Sequence, residues 1–320
     1  MSLKSIVNSA LASIAISTAA PAYANEDVPI VMEDIRYYLE NMHEPKIELP
    51  VRDVKYKGYW ISKEEYDSII HHVNDGSLAS GEIKQYLGFV SLMRYHELLD
   101  FVADYYEVDR NMMLKIMNQE SAFNINAAGS MKERGLGQNR ETTSKTLVDR
   151  ITTPDDGLYY PFIKKEDYSF RNISKDYRLN IILIAAKLKA IDPIFKSALA
   201  DMSVTEEDLV SRIEEYGRST KLKYLSRGKS KKFKFYKVGN KTRKRINDFW
   251  HGHTVDSSDL IYLVYNGGGN AIANILDDNV VTEVLMYNFT SYCSRKHLVD
   301  HFLSIYEGEE APVEDIVLPE

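Results

Sequence analysis

The stretch that most limits how this chain can fold is residues 176–195, Asp-Tyr-Arg-Leu-Asn-Ile-Ile-Leu-Ile-Ala-Ala-Lys-Leu-Lys-Ala-Ile-Asp-Pro-Ile-Phe. Placed on a helix, its apolar residues fall on almost every side, so other elements must cover it on all flanks. It therefore belongs at the centre of a core. The segments available to surround it are also helical in pattern. Ser62 is an N-cap with Glu65 three residues on. Ile83, Leu87, Phe89, Val90, Met93, Leu98, Phe101 and Val102 follow helical spacing. Val108-Asp109 marks a break and a cap, from which a new helix runs to about Ser121. Further helices are read after Ser203 or Thr205, after the Ser-Ser-Asp cap at 257–259, and over 281–306. The expected fold is mainly α, with no repeat of fixed period.

Loops are read at 124–137, where Asn, Ala, Gly and Ser replace the periodic pattern, and at 152–162. A short helix candidate between 26 and 50 ends at Pro45 and Pro50. Residues 221–245 contain no Asp or Glu, and Lys and Arg alternate there with Tyr224, Phe233, Phe235 and Tyr236. Lys-Phe-Lys-Phe has the period of a strand, and Gly239-Asn240 is a turn signal, so this basic insert reads as a hairpin. The first 24 residues carry Lys4, a short apolar run from Ile6 to Ala20, and Ala22-Tyr23-Ala24. That three-part pattern is a signal peptide cleaved after Ala24, which makes the chain exported, to the periplasm or the outside medium. No later stretch is long and apolar enough for a transmembrane span. The expected organisation is a signal peptide at 1–24 and a helical extension at 25–95. The main domain follows at 96–305, with the basic insert at about 218–250, and an acidic tail at 306–320 closes the chain.

One acid breaks the apolar logic. Helix positions three, four and seven apart share a face, so Met113, Ile116, Met117 and Glu120 point the same way. Burial disfavours the charged carboxylate and raises its pKa. An acid still protonated near neutral pH can donate to a leaving oxygen, as a glycosidase requires. The bland alternative is a solvated residue at a helix end, where the helix dipole disfavours a negative charge.

Glu120-Ser121, Phe123-Asn124, Ala127, Gly135-Leu136 and Gln138 stand in the register of a known signature. This stretch resembles the soluble lytic transglycosylase family, with its goose-type lysozyme-like fold. Asn180 is similar to the Asn that opens a core helix of that family, and Tyr265-Asn266-Gly267 resembles its Tyr-Asn-x-Gly stretch. Lys132-Glu133 and Gly137 depart from the family, which usually has Gly-Ala and Met there. The resemblance implies cleavage of the β-1,4 bond between N-acetylmuramic acid and N-acetylglucosamine in peptidoglycan, leaving 1,6-anhydro ends. It implies Glu120 as the catalytic acid and then base. Ser121, Gln138, Tyr265 and Asn266 are implied as substrate-binding or supporting residues, with a Tyr hydroxyl beside Glu120 orienting it. The alternatives are a muramidase-type hydrolase on the same fold, for which Glu133, Asp155 or Asp156 could supply a second carboxylate, and an inactive wall-binding module.

Net charge of −7 argues against a chain that is basic throughout. In an exported protein the basic insert suits a cell-wall polyanion or an acidic peptide stem better than nucleic acid, and no nucleic acid is expected. His71-His72 and His251-x-His253 lack the companion ligands of a zinc pattern, so no metal is expected. The glycines at 267–269 lack the context of a nucleotide loop, and no cofactor is expected. The single cysteine, Cys293, reads as a small buried side chain.

Overall fold

The computed structural model describes residues 43–47, 49, 51–129, 132–219, 224–229, 232–237, 239–276 and 280–308. The expected signal peptide, the helix candidate before Pro45, and the acidic tail beyond 308 lie outside these residues. The chain opens with a small antiparallel pair, β1 (Val54–Tyr56) and β2 (Tyr59–Ile61). Helices α1 (Lys63–Asn74), α2 (Ile83–Met93), α3 (His96–Tyr106), α4 (Arg110–Ser121) and α5 (Glu141–Ile151) follow. Then come α6 (Tyr177–Asp201) and α7 (Glu206–Arg218), and a second antiparallel pair, β3 (Tyr224–Lys229) and β4 (Lys232–Lys237). Helices α8 (Asn240–Gly252), α9 (Ile261–Gly267), α10 (Ala271–Leu276) and α11 (Val280–Glu307) complete the order. The fold is mainly α, as the periodicity implies.

Helix α6 occupies the predicted central place. Every residue from Leu179 to Ala186 is buried, and α3, α4, α5, α9 and α10 pack around it. The caps fall where the sequence puts them. Ser62 and Glu65 form a reciprocal capping box on α1, and the Asp109 side chain accepts from the Asn111 N–H at the start of α4. Of the two candidates before α7, Thr205 is the cap. Ser203 has φ +53° and lies in the turn that precedes it.

The periodic run 83–102 is divided between α2 and α3. The side chain of Arg94 is drawn to Glu65 of α1, and the Tyr95 ring stacks on Tyr177 at 4.9 Å between centroids. These contacts hold the chain at a corner between α2 and α3. The basic insert does form a hairpin, with Tyr224 paired to Lys237 and Lys229 to Lys232. Gly239 instead precedes the first residue of α8 with extended backbone, as an N-cap. Strand β3 runs against α11.

Residues 124–129 and 132–139 belong to a loop that folds on itself through isolated bridges from Arg134 to Ala128 and to Asn139. Its anchor comes from α6. The Leu136 N–H donates to Asn180 Oδ1 at 2.8 Å, and Asn180 Nδ2 donates to the carbonyls of Ile173 and Asp176. Gly135, at φ +75°, is required twice over. A side chain is strained in that conformation, and a Cβ there would stand 2.2 Å from Asn180 Oδ1. Asn180 is fully buried, so its replacement by Ala leaves one N–H and two carbonyls without it. Asn180→Ala is expected to lower unfolding free energy by roughly 2–3 kcal/mol in urea titrations. A loss below about 0.5 kcal/mol, the scale of an ordinary surface change, would show that the loop is held elsewhere.

Candidate functional site

Helix α4 buries Met113, Ile116 and Met117 completely, and Glu120 extends the same stripe into the last turn, where it is only partly covered. The helix stops there because the chain is pulled inward. Ala122 and Phe123 both adopt left-handed backbone, with φ of +51° and +59°. Such a conformation costs a non-glycine residue roughly 1–2 kcal/mol. Burial of the Phe123 ring offsets it: the ring lies 5.3 Å from Phe89 of α2 and 6.4 Å from Phe302 of α11. Gly88 lets α2 approach this turn, since a Cβ there would meet the Phe123 carbonyl oxygen at 2.7 Å. A packed aromatic residue thus fixes where α4 ends, one residue after Glu120.

A polarised hydrogen-bond chain reaches Glu120 from two other helices. Asn288 Nδ2 of α11 donates to Asn266 Oδ1 of α9 at 2.9 Å. Asn266 Nδ2 donates to the Tyr262 hydroxyl at 3.4 Å, and that hydroxyl donates to Glu120 Oε1 at 3.0 Å. Tyr262 is itself clamped by a stacked Tyr292 ring at 4.3 Å, whose hydroxyl donates to the buried Asp259. Oε1 of Glu120 is therefore an acceptor already engaged by the protein.

Lys187 of α6 brings a positive charge to the same place. Its Nζ sits 3.4 Å from the centre of the Tyr265 ring, a close cation–π contact. Burial pushes the Lys187 ammonium down to about 8; the Glu120 carboxylate opposes that shift and Arg140 adds to it. Burial likewise pushes the Glu120 carboxyl above the usual carboxylate range. Lys187, the Tyr262 hydroxyl and the Asn266 amide pull it back, in that order, and Glu133 adds a smaller upward push. Glu133 faces Arg140 at 3.3 Å.

The residues singled out in the sequence are brought together unequally. Asn266 joins the chain behind Glu120. The Tyr265 hydroxyl donates not to Glu120 but to the Gly137 carbonyl at 3.1 Å, and the hydroxyl beside the acid is that of Tyr262, three residues earlier. Gln138 turns its amide inward, where Nε2 donates to the Gly135 and Ala127 carbonyls at 2.8 and 3.2 Å. The Ser121 hydroxyl donates to the Met117 carbonyl of its own helix. Asp156 is bound to Arg150 and Asp155 is exposed. His71 pairs with Asp75, and His253 stacks on Phe249. Among the described residues no three His, Cys, Asp or Glu side chains form a metal-binding group, and Cys293 is buried.

Tyr262 and Lys187 were missed, though each left a trace. Tyr262 lies one turn before Asn266, on the same face of α9. Lys187 ends the apolar run 181–186 and stands seven residues, two turns, after Asn180.

Residues 97–164, which span α3, α4, the loop and α5, match the family model of the transglycosylase SLT domain. The resemblance read from the sequence is borne out over these residues, and with it a lysozyme-like helical fold from a glycan-cleaving family. Asn180, Lys187, Tyr262 and Asn266 lie beyond the match. No curated protein and no solved structure matches the chain significantly.

A carboxyl whose folded pKa is raised favours the folded state at low pH, and that contribution is lost as pH rises through the folded pKa. At neutral pH the partly buried charge of Glu120 is then a cost. Glu120→Gln is expected to melt at or above the temperature of the unaltered chain at pH 7, with the difference shrinking towards pH 4. A lower melting temperature at pH 7 would mean that the charge stabilises the fold.

Proposed function

We propose that this chain is an exported peptidoglycan lytic transglycosylase in which Glu120 is both acid and base. The single observation that carries this reading is a partly buried carboxyl with one oxygen fixed by Tyr262 and a pKa raised by burial. Protonated Glu120 donates to the glycosidic oxygen as the C1–O4 bond of N-acetylmuramic acid breaks. The resulting carboxylate, steadied by Lys187 and the Tyr262 hydroxyl, takes the proton of the muramic 6-hydroxyl as the C1–O6 bond forms. Atoms and charge balance without water, and one carboxyl serves both steps. Hydrolysis is the second reading, favoured by Glu133, whose charge reaches Glu120. Its ion pair with Arg140 and the single engaged carboxyl support the anhydro route. The helical extension and the domain from 96 to 305 are proposed as one working unit on the glycan, with the basic hairpin as an added contact to wall polyanions.

Glu120→Gln keeps shape but cannot donate and recover a proton. Release of soluble fragments from purified sacculi should fall roughly 10²–10⁴-fold. Mass spectrometry of the wild-type products should show anhydro ends. Reducing ends would identify a hydrolase, and near-normal release by the variant would place the chemistry at another residue.

Lys187→Met removes the cation that holds the Glu120 pKa down. The active acid form then persists to higher pH, so the alkaline limb of the rate profile should move upward. An unmoved limb would show that Lys187 does not tune the acid.

Replacing Lys229, Lys232 and Lys234 by Glu should weaken co-sedimentation with sacculi at low salt, and 0.5 M salt should weaken that of the unaltered chain. Unchanged binding would remove the hairpin from wall contact.

A further inference from the structure

A separate cleft of about 420 Å³ opens between the β1–β2 hairpin, α2 and the N-terminal end of α6. Its lining contains five cationic side chains and no acid. Arg94 is neutralised by Glu65. Arg52 and Lys57 from the hairpin, Lys84 from α2 and Lys175 from the turn before α6 are exposed around it. Lys57 and Gly58 have φ of +44° and +95°, the left-handed pair of a tight hairpin turn. That turn carries the Lys57 charge to the edge of the cleft. Beside it Trp60 is 53% exposed, a large apolar surface left open in a chain whose other tryptophan, Trp250, is fully buried. Asn124 and Asn126 form part of the wall.

The Asn residues lie four and six positions after Glu120, so the loop leading away from the acid walls this cleft. Tyr177 in the lining and Lys187 beside the acid lie on one helix, ten residues and about 15 Å apart. A ligand strand passing Glu120 would have its side groups within reach of the cleft. Four cations on three separate segments spread positive charge around a rim rather than at one point. This suits several carboxylates spaced along a short chain. The Asn amides suit its peptide groups, and the open Trp60 face suits its aliphatic parts.

We propose that this cleft binds an acidic peptide, namely the carboxylate-bearing stem carried by the glycan. The proposal rests on the peptidoglycan reading for its substrate, and its test separates the two. The probe is a synthetic stem peptide with free carboxylates, titrated into the full chain while Trp60 fluorescence is followed. Binding should weaken about tenfold in the Lys84→Glu/Lys175→Glu variant, and similarly for a peptide with amidated carboxyls, while Glu120→Gln binds as the unaltered chain does. Both lysines are exposed, and melting curves of the variant should match the unaltered chain. With enzyme substrates, the variant should digest peptide-free glycan normally and intact sacculi more slowly. No peptide binding, equal binding by the variant, or tighter binding of a glycerol-phosphate polymer would overturn the assignment, even with glycan cleavage intact. Peptide binding by a chain that cleaves no glycan would uphold the cleft and overturn the transglycosylase reading.

Discussion

The side chain of Asn180 ties the buried first half of α6 to the irregular loop that follows Glu120. Residues 179–186 of α6 are covered on all flanks, so their position is fixed by the whole core. Asn180 is the polar residue within its buried stretch, and its three hydrogen bonds link the 135–136 turn to the segment preceding α6. A buried amide must satisfy its donors and acceptor or lose stability, so the loop has one place to go. Gly135 accepts the tight approach, and Gly137 then delivers its carbonyl to Tyr265. The Tyr265 ring in turn supports Lys187, two turns further along α6. One satisfied amide thereby positions the loop and connects it to the cation beside Glu120.

The electrostatics of that neighbourhood depend on competition rather than on burial alone. Desolvation pushes Glu120 towards its neutral form and Lys187 towards its own. Each group restrains the other, because a nearby opposite charge favours the charged form. The Tyr262 hydroxyl and the Asn266 amide also favour the carboxylate. Burial thus raises the acid, while Lys187, the Tyr262 hydroxyl and the Asn266 amide draw it back. Lys187 itself, near 8, is set to change charge just above neutrality.

Much of this architecture was legible. The all-round apolar pattern of 176–195 placed α6 in the core, and Asp109, Ser62 and Thr205 marked helix starts through side-chain geometry that is local by nature. The stripe from Met113 to Glu120 correctly implied a partly covered acid. What could not be read was which of several nearby polar groups reaches it. Tyr262 and Tyr265 both lie on α9, and their hydroxyls part company because Gly137 offers Tyr265 a carbonyl. That carbonyl is 128 residues away in sequence, beyond any local pattern. Lys187 at the end of an apolar run was legible as an anomaly, but its partner depended on how α4 and α6 pack. The corner at Arg94-Tyr95 was hidden for the same reason, since Glu65 and Tyr177 are its cause.

Gly137 shows how a departure from the family's usual residue fits its surroundings. A Cβ at this position would stand 2.7 Å from Ile184 Cγ1 and 2.7 Å from the Tyr265 hydroxyl. The space that a larger residue would need is already taken by α6 and α9. Close-packed interiors conserve volume, so a small residue on the loop and larger ones on the helices are two halves of one solution. The consequence is electrostatic as well as steric. With no side chain at Gly137, the Tyr265 hydroxyl reaches the loop carbonyl directly, and its ring is held where Lys187 rests on it. The loop departure and the cation beside Glu120 are therefore coupled through a single tyrosine.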